Sequence, residues 1–147
     1  MEISERGLAL IKRLENYEPK PYPCLAGVLT IGYGHAINKN KESFLSITKE
    51  QAVELLVSDV SYATGIIHKY VKVPLTQGQF DALCSLIYNW GSAGFSGSAG
   101  LKLLNAGDYR GAAHEFFSRE KGVVNIKGKF CQGLYNRRIA EMELWNV

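Results

Sequence analysis

The stretch from residue 15 to residue 35 constrains this chain more than any other. It reads ENYEPKPYPCLAGVLTIGYGH. Prolines at positions 19, 21 and 23 exclude a helix, because proline lacks an N–H and fixes its own φ. Glycines at positions 27, 32 and 34 are typical of turns in a short β-rich segment. Polar side chains of four kinds, those of Glu15, Cys24, Thr30 and His35, make this segment a candidate site, and a purely structural hairpin is the alternative.

The spacing of these residues is specific. Glu15 is followed by eight residues, then Cys24, five residues, and Thr30 at the head of T-I-G-Y-G-H, which ends at His35. This pattern resembles the signature of phage-type lysozymes, the endolysins of the T4 lysozyme family (glycoside hydrolase family 24). The chain departs from that signature at one place, because Cys24 stands where the family usually has Asp.

The resemblance continues to the C-terminus. Residues 79–91, 101–116 and 133–145 are similar to helices of the family's C-terminal lobe. The resemblance implies a single lysozyme-like domain over residues 1–147, of class α+β. A small β-containing lobe of about residues 15–60 would be joined by a long helix to a larger all-helical lobe of about residues 1–14 plus 70–147, with the site facing the cleft between the lobes.

Composition is compatible with that interpretation. The 147 residues suffice for one domain with a core, and 46% hydrophobic with 21% charged residues is typical of a globular chain. The net charge of +3 suits an anionic wall polymer but is too small to indicate nucleic acid. The three cysteines form neither a disulfide framework nor a zinc pattern, and Cys84 lies in an apolar helical pattern that predicts burial. We expect no metal and no cofactor.

Helix signals recur along the chain. Residues 4–16 are predicted to form a helix that Ser4 caps and whose apolar residues lie on one face. A second predicted helix, 48–70, begins with a capping-box pattern. A third, 76–90, begins with the same pattern and ends before Gly91. A small-residue stretch, 94–100, leads into a short helix that ends at Gly107, and Asp108 is a candidate cap for the next helix. Residues 120–133 are predicted to be a loop. The last helix, 134–145, is predicted to turn Ile139, Met142 and Trp145 inward.

The resemblance also assigns chemistry. Glu15 would be the general acid that protonates the leaving oxygen, and Thr30 would help to hold water or substrate. Cys24 leaves three hypotheses open, because a thiol is a poor base and a free thiolate forms only near pH 8.5. In the first hypothesis the thiolate acts as the base. In the second it attacks the sugar and forms a covalent intermediate. In the third the position is idle.

Other assignments depend on the resemblance more loosely. His35 would be structural and pair with an acid, with Asp59 as a candidate. Arg138 or its neighbour Arg137 would either pair with a buried carboxylate of the N-terminal region or be solvated. Side chains suited to binding sugar would line the helical lobe: Tyr88, Asn89, Ser98 and, as a poorer candidate, Glu115.

Together these features predict a muramidase that hydrolyses the β-1,4 bond between N-acetylmuramic acid and N-acetylglucosamine in bacterial peptidoglycan. The alternatives are a lytic transglycosylase acting on the same bond and a catalytically weak peptidoglycan-binding protein. The first residues lack a secretory signal and no apolar run reaches membrane-spanning length, so we expect a monomer in the host cytoplasm without membrane insertion. By resemblance, a membrane-permeabilising phage partner would release it to the wall.

Overall fold

The computed structural model describes residues 1–24 and 27–147. Helices dominate these residues, and the strands are short and antiparallel, so the predicted α+β class is confirmed. The elements are α1 (Glu5–Glu15), β1 (Glu18–Pro23), β2 (Leu29–Gly32), β3 (His35–Ala36), α2 (Lys49–Tyr70), α3 (Gln77–Trp90), α4 (Ser92–Ser96), α5 (Ala99–Asn105), α6 (Tyr109–Phe117), β4 (Asn125–Ile126), β5 (Lys129–Phe130) and α7 (Gln132–Trp145).

The chain divides into two compact units. The sheet unit comprises Ile11–Tyr62, and the helical unit comprises Met1–Leu10 with Ala63–Val147. The division falls within α2, whose first turn is closed by the predicted capping box: the backbone N–H of Thr48 donates to the Gln51 side chain, and the N–H of Gln51 donates to the Thr48 hydroxyl. Among the described residues, no helix combines the length and the apolarity that crossing a bilayer requires.

The sheet unit is built around a three-stranded sheet of order β1-β2-β3. The prolines of β1 lie in an edge strand, where the missing N–H groups cost no ladder bonds, and a bulge separates Glu18 from Tyr22. The core beneath the sheet is formed by Ile31, Ile47 and Ala52. The sheet therefore begins at Glu18, within the proline-rich part of the segment.

The helical unit packs around α3, most of whose side chains are buried. Thr76 and Gln79 form the predicted capping box, and Gly91 ends the helix with φ of 98°. Aromatic rings fill the space between the other helices: Phe95 stacks on Phe116 with ring centroids 5.7 Å apart. The chain therefore places most of its apolar mass in this unit.

Three sequence predictions were wrong in the helical unit. The small-residue stretch 94–100 is partly helical, because it contributes to α4 and α5. The predicted loop 120–133 contains the β4–β5 hairpin, so this unit is not all-helical, and α7 already begins at Gln132. Ile139 does not face inward but is 41% exposed, whereas Trp145 is buried as predicted.

The reason for the last error is that polar side chains occupy the buried face of α7. Arg138, Glu141 and Leu144 recur at a spacing of three residues, and the first two are fully buried. Apolar periodicity assigns the wrong face of such a helix to the core, because it does not count buried, ion-paired residues as core residues.

His35 lies between two carboxylates in the sheet unit. Its Nδ1 is 2.8 Å from Asp59, the candidate partner from sequence, and its Nε2 is 3.0 Å from Glu42. Burial opposes protonation of the ring, but the hydrogen bonds to Asp59 and Glu42 outweigh it and raise the pKa of His35. The ring thereby joins β3, α2 and the segment that contains Glu42.

A histidine with a raised pKa makes stability depend on pH. Its contribution is fully present below the unfolded-state value near 6.5 and is lost as the pH rises through the folded-state value. We expect His35→Gln to lower the free energy of unfolding by about 1–3 kcal/mol near pH 6, since a charged hydrogen-bond partner is lost. Urea unfolding of parent and variant between pH 5.5 and pH 9 measures the difference, which should shrink toward alkaline pH. A difference independent of pH would contradict the charged pair.

Candidate active site

Glu15 is the last residue of α1, and the turn that follows fixes its carboxylate. Asn16 adopts a left-handed conformation with φ of 57°, and its N–H bonds to the carbonyl of Lys12 at 3.0 Å, which ends the helix. A Cβ at Gly34 would lie 2.7 Å from Oε2 of Glu15, and Gly34 has φ of +84°. The half-buried carboxylate therefore rests against backbone at a position where only glycine fits.

Thr30 lies in the middle of the sheet, in β2, and is 4% exposed. Its hydroxyl donates a hydrogen bond to the carbonyl oxygen of Val28 at 2.9 Å. A hydroxyl has one proton and two lone pairs, so this bond leaves the Thr30 oxygen as an acceptor toward any further partner. The hydroxyl is therefore oriented by its own strand.

Cys24 follows β1 directly, at the start of the connection to β2. Its N–H donates to the carbonyl of Val28 at 2.9 Å, and its carbonyl accepts from the N–H of Gly27 at 2.8 Å. The half-buried residue is not part of a disulfide. These two backbone bonds fix Cys24 relative to Gly27 and Val28.

Sequence reasoning missed one member of this site, Tyr22. Burial first, and then the negative charges of Glu15, Glu18 and Cys24, raise the pKa of its phenol. The phenol therefore lies near both Glu15 and Cys24 and stays protonated at neutral pH. The sequence carried no signal for this, because only the strand register shows that Tyr22 lies opposite Thr30, and residues directly opposite project from the same face.

The substrate-binding candidates all lie in the helical unit. Tyr88 is half-buried and Asn89 exposed, both at the end of α3. The hydroxyl of Ser98 caps α5 by accepting from the N–H of Leu101. A surface cavity of about 340 Å³ brings Ser98 and Glu115 together with Trp90, Phe116, Ala99, Gly100 and residues 121–125.

Arg138 does not pair with a carboxylate of the N-terminal region. Its Nε lies 2.6 Å from Oε1 of Glu141, one turn further along α7, and both side chains are fully buried. For Arg138 the predicted pairing is therefore wrong, because its partner is local in sequence. For Arg137 it stays a prediction. Across the described ranges, no three His, Cys, Asp or Glu side chains lie close enough to hold a metal ion.

Comparisons with known proteins identify the family of the chain. The family described as phage lysozyme matches residues 12–141. The chain is 48% identical to an endolysin of Acyrthosiphon pisum secondary endosymbiont phage 1, over 99% of this chain and 98% of that one. It is 41% identical to the endolysin of Salmonella phage P22, with the same coverage.

Among solved structures, the muramidase domain of SpmX from Asticaccaulis excentricus superposes with a TM-score of 0.85 at 30% identity, covering 99% of this chain and 98% of that one. The lysozyme-like form of the predicted fold is thereby confirmed. With its glutamate seated on a glycine turn and its matches along the whole chain, the protein belongs to the phage lysozyme family and is an endolysin-type glycoside hydrolase.

Proposed function

We propose that this endolysin is an N-acetylmuramidase, which hydrolyses the β-1,4 bond between N-acetylmuramic acid and N-acetylglucosamine in peptidoglycan. The observation on which the proposal rests is the position of the Glu15 carboxylate. Its half-buried carboxylate lies at the end of α1, against Gly34, where the absence of a Cβ lets the acid rest directly on the backbone. One structural relative, the SpmX domain, is described as a muramidase, which supports the same activity.

Glu15 supplies the proton in this mechanism. Glycosidic cleavage needs an acid at the leaving oxygen and a second group at the opposite face of the sugar. The negative charge of Glu15 contributes, after burial, to the raised pKa of the nearby Tyr22 phenol, which stays neutral beside the acid. Thr30, whose own proton is directed to Val28, accepts a hydrogen bond from the attacking water and orients it.

The second group is Cys24, in one of two ways. As a base, its thiolate takes a proton from the water that attacks the anomeric carbon, and the product has inverted configuration. As a nucleophile, its sulfur bonds to the anomeric carbon while the C–O bond breaks and Glu15 protonates the leaving oxygen. Water then attacks, the Glu15 carboxylate takes its proton, and the C–S bond breaks with overall retention.

The acid role of Glu15 is tested by Glu15→Gln, which keeps the shape of the side chain but removes its proton. We expect lytic activity to fall by roughly 10²–10⁴-fold, the usual contribution of general acid catalysis. The assay is clearance of turbid, outer-membrane-permeabilised Gram-negative cells.

Glu18→Gln is the matched control, since Glu18 is also near Tyr22 but lies exposed in β1. It should keep activity within about threefold of the parent. Activity of Glu15→Gln at that same level, with an unchanged melting temperature, would show that Glu15 is not the acid.

The role of Cys24 is tested with a thiol-alkylating reagent on a Cys84→Ala, Cys131→Ala background. Burial raises the pKa of the Cys84 thiol and makes it inert, but Cys131 is half-exposed and must be removed. We expect the reagent to inactivate this background and Cys24→Ser to be much weaker. Cys24→Asp should stay active and resist the reagent, because it restores a carboxylate.

The pH profile adds a second readout. A carboxylate is ionised from about pH 4 upward, whereas an unperturbed thiolate forms near pH 8.5. The acidic limb of the parent's rate profile should therefore lie at higher pH than that of Cys24→Asp. If Cys24→Ala equals the parent in rate and profile, the thiol is idle, and Glu15 with a water held by Thr30 carries the reaction.

Two product analyses separate the remaining alternatives. The anomeric configuration of the new reducing end, read early by proton NMR, distinguishes inversion from retention. A lytic transglycosylase closes an anhydro ring, so its muropeptides are lighter by one water in mass spectrometry. A catalytically weak wall-binding protein would sediment with peptidoglycan without clearing cells.

A further inference from the structure

The buried guanidinium of Arg138 connects three parts of the helical unit. Its Nη2 donates to Oδ1 of Asn89 at 2.9 Å, and its Nη1 donates to the carbonyl of Val123 at 3.1 Å. Its Nε and Nη2 both contact the carboxylate of Glu141, at 2.6 and 3.1 Å. The hydroxyl of Ser85 in α3 holds the same carboxylate at 2.5 Å. We call Ser85, Glu141 and Arg138 the positioning network.

The network decides which way the Asn89 amide points. Arginine only donates hydrogen bonds, so the amide atom facing Arg138 must be the oxygen. The NH₂ group of this exposed residue therefore points away from the guanidinium with both of its protons. The residue next to Asn89, Trp90, lines the surface cavity described above, and so does Val123, whose carbonyl Arg138 holds.

We propose that the positioning network makes Asn89 a dedicated hydrogen-bond donor for an acceptor oxygen of the glycan, and holds the Trp90 and Val123 sides of the adjacent cavity together. This inference rests on the proposed muramidase function. The acceptor has the chemistry of a carbonyl or carboxylate oxygen. Peptidoglycan offers it from the N-acetyl groups of its sugars and from the carboxylates of its stem peptides.

Asn89→Asp is the decisive variant. One carboxylate oxygen still accepts from Arg138, so the network keeps its partners, but the outer atom becomes a charged acceptor in place of a donor. We expect KM for soluble peptidoglycan fragments to rise about tenfold, with kcat within about threefold of the parent and no loss in melting temperature. Asn146→Asp, which makes the same charge change at the exposed end of α7, should leave both constants unchanged and controls for charge repulsion.

Two variants test the network itself. Ser85→Ala removes only the hydrogen bond from the hydroxyl to Glu141, and Arg138→Lys replaces the planar guanidinium by an ammonium group. Both should raise KM more than they lower kcat. Their effects should largely vanish in the Asn89→Asp background, because coupled residues do not act additively. If the network only stabilised the fold, both variants would have lower melting temperatures with an unchanged KM, and their effects would be additive with that of Asn89→Asp. That result would overturn the proposal. Ser85→Ala keeps the test available if Arg138→Lys does not fold.

The source of the acceptor is read from two substrates: intact fragments, and glycan strands stripped of stem peptides by an amidase. An Asn89→Asp effect on both supports the N-acetyl carbonyl, and an effect confined to intact fragments supports a stem carboxylate. An unchanged KM on both, with an active parent, would overturn the inference and leave the proposed function standing. A parent without lytic activity would instead refute the function.

Discussion

The buried pair of Arg138 and Glu141 is the interaction on which the helical unit depends. Taking two charges out of water costs several kcal/mol per ion, which is recovered only when every donor and acceptor is well placed. Here the guanidinium is held by the carboxylate, by the Val123 carbonyl and by Asn89. Loss of either partner would leave an uncompensated buried charge, at a cost of about 3–5 kcal/mol. The pair therefore fixes α7 against α3 in one arrangement.

The sheet unit uses a different principle, in which backbone positions are fixed by residues that tolerate unusual dihedrals. Asn16 ends α1 in the left-handed region, and Gly34 turns the chain beneath the Glu15 carboxylate. His35, directly after that turn, is then held by the carboxylates of Asp59 and Glu42. The role proposed for Glu15 requires such support, because an error in the position of an acid lowers the rate even when the residue itself is intact.

Cys24 directly follows β1, at the position to which the proposed mechanism assigns the second group. Two backbone hydrogen bonds, to Val28 and from Gly27, hold this residue and do not depend on its side chain. A change of side chain leaves both bonds in place. Cys24→Asp and Cys24→Ala therefore test the proposed chemistry, since both should fold like the parent.

The sequence by itself determined the fold class, the family and most helix limits. Capping boxes at Thr48 and Thr76 and the stop at Gly91 are local signals, carried by residues within one turn of each other. The spacing from Glu15 to His35 likewise lies within one stretch of chain, so it was readable without a structure.

Only the tertiary structure decided which residues meet over long separations. Tyr22 joins the site because strand register places it opposite Thr30, a pairing that local pattern does not reveal. Arg138 and Glu141 can lie on the buried face of α7 because each neutralises the charge of the other. Apolar periodicity does not detect such a pair and predicted burial of Ile139 instead. Burial of a charge depends on its partners, and the partners Ser85 and Asn89 lie about fifty residues away in the chain.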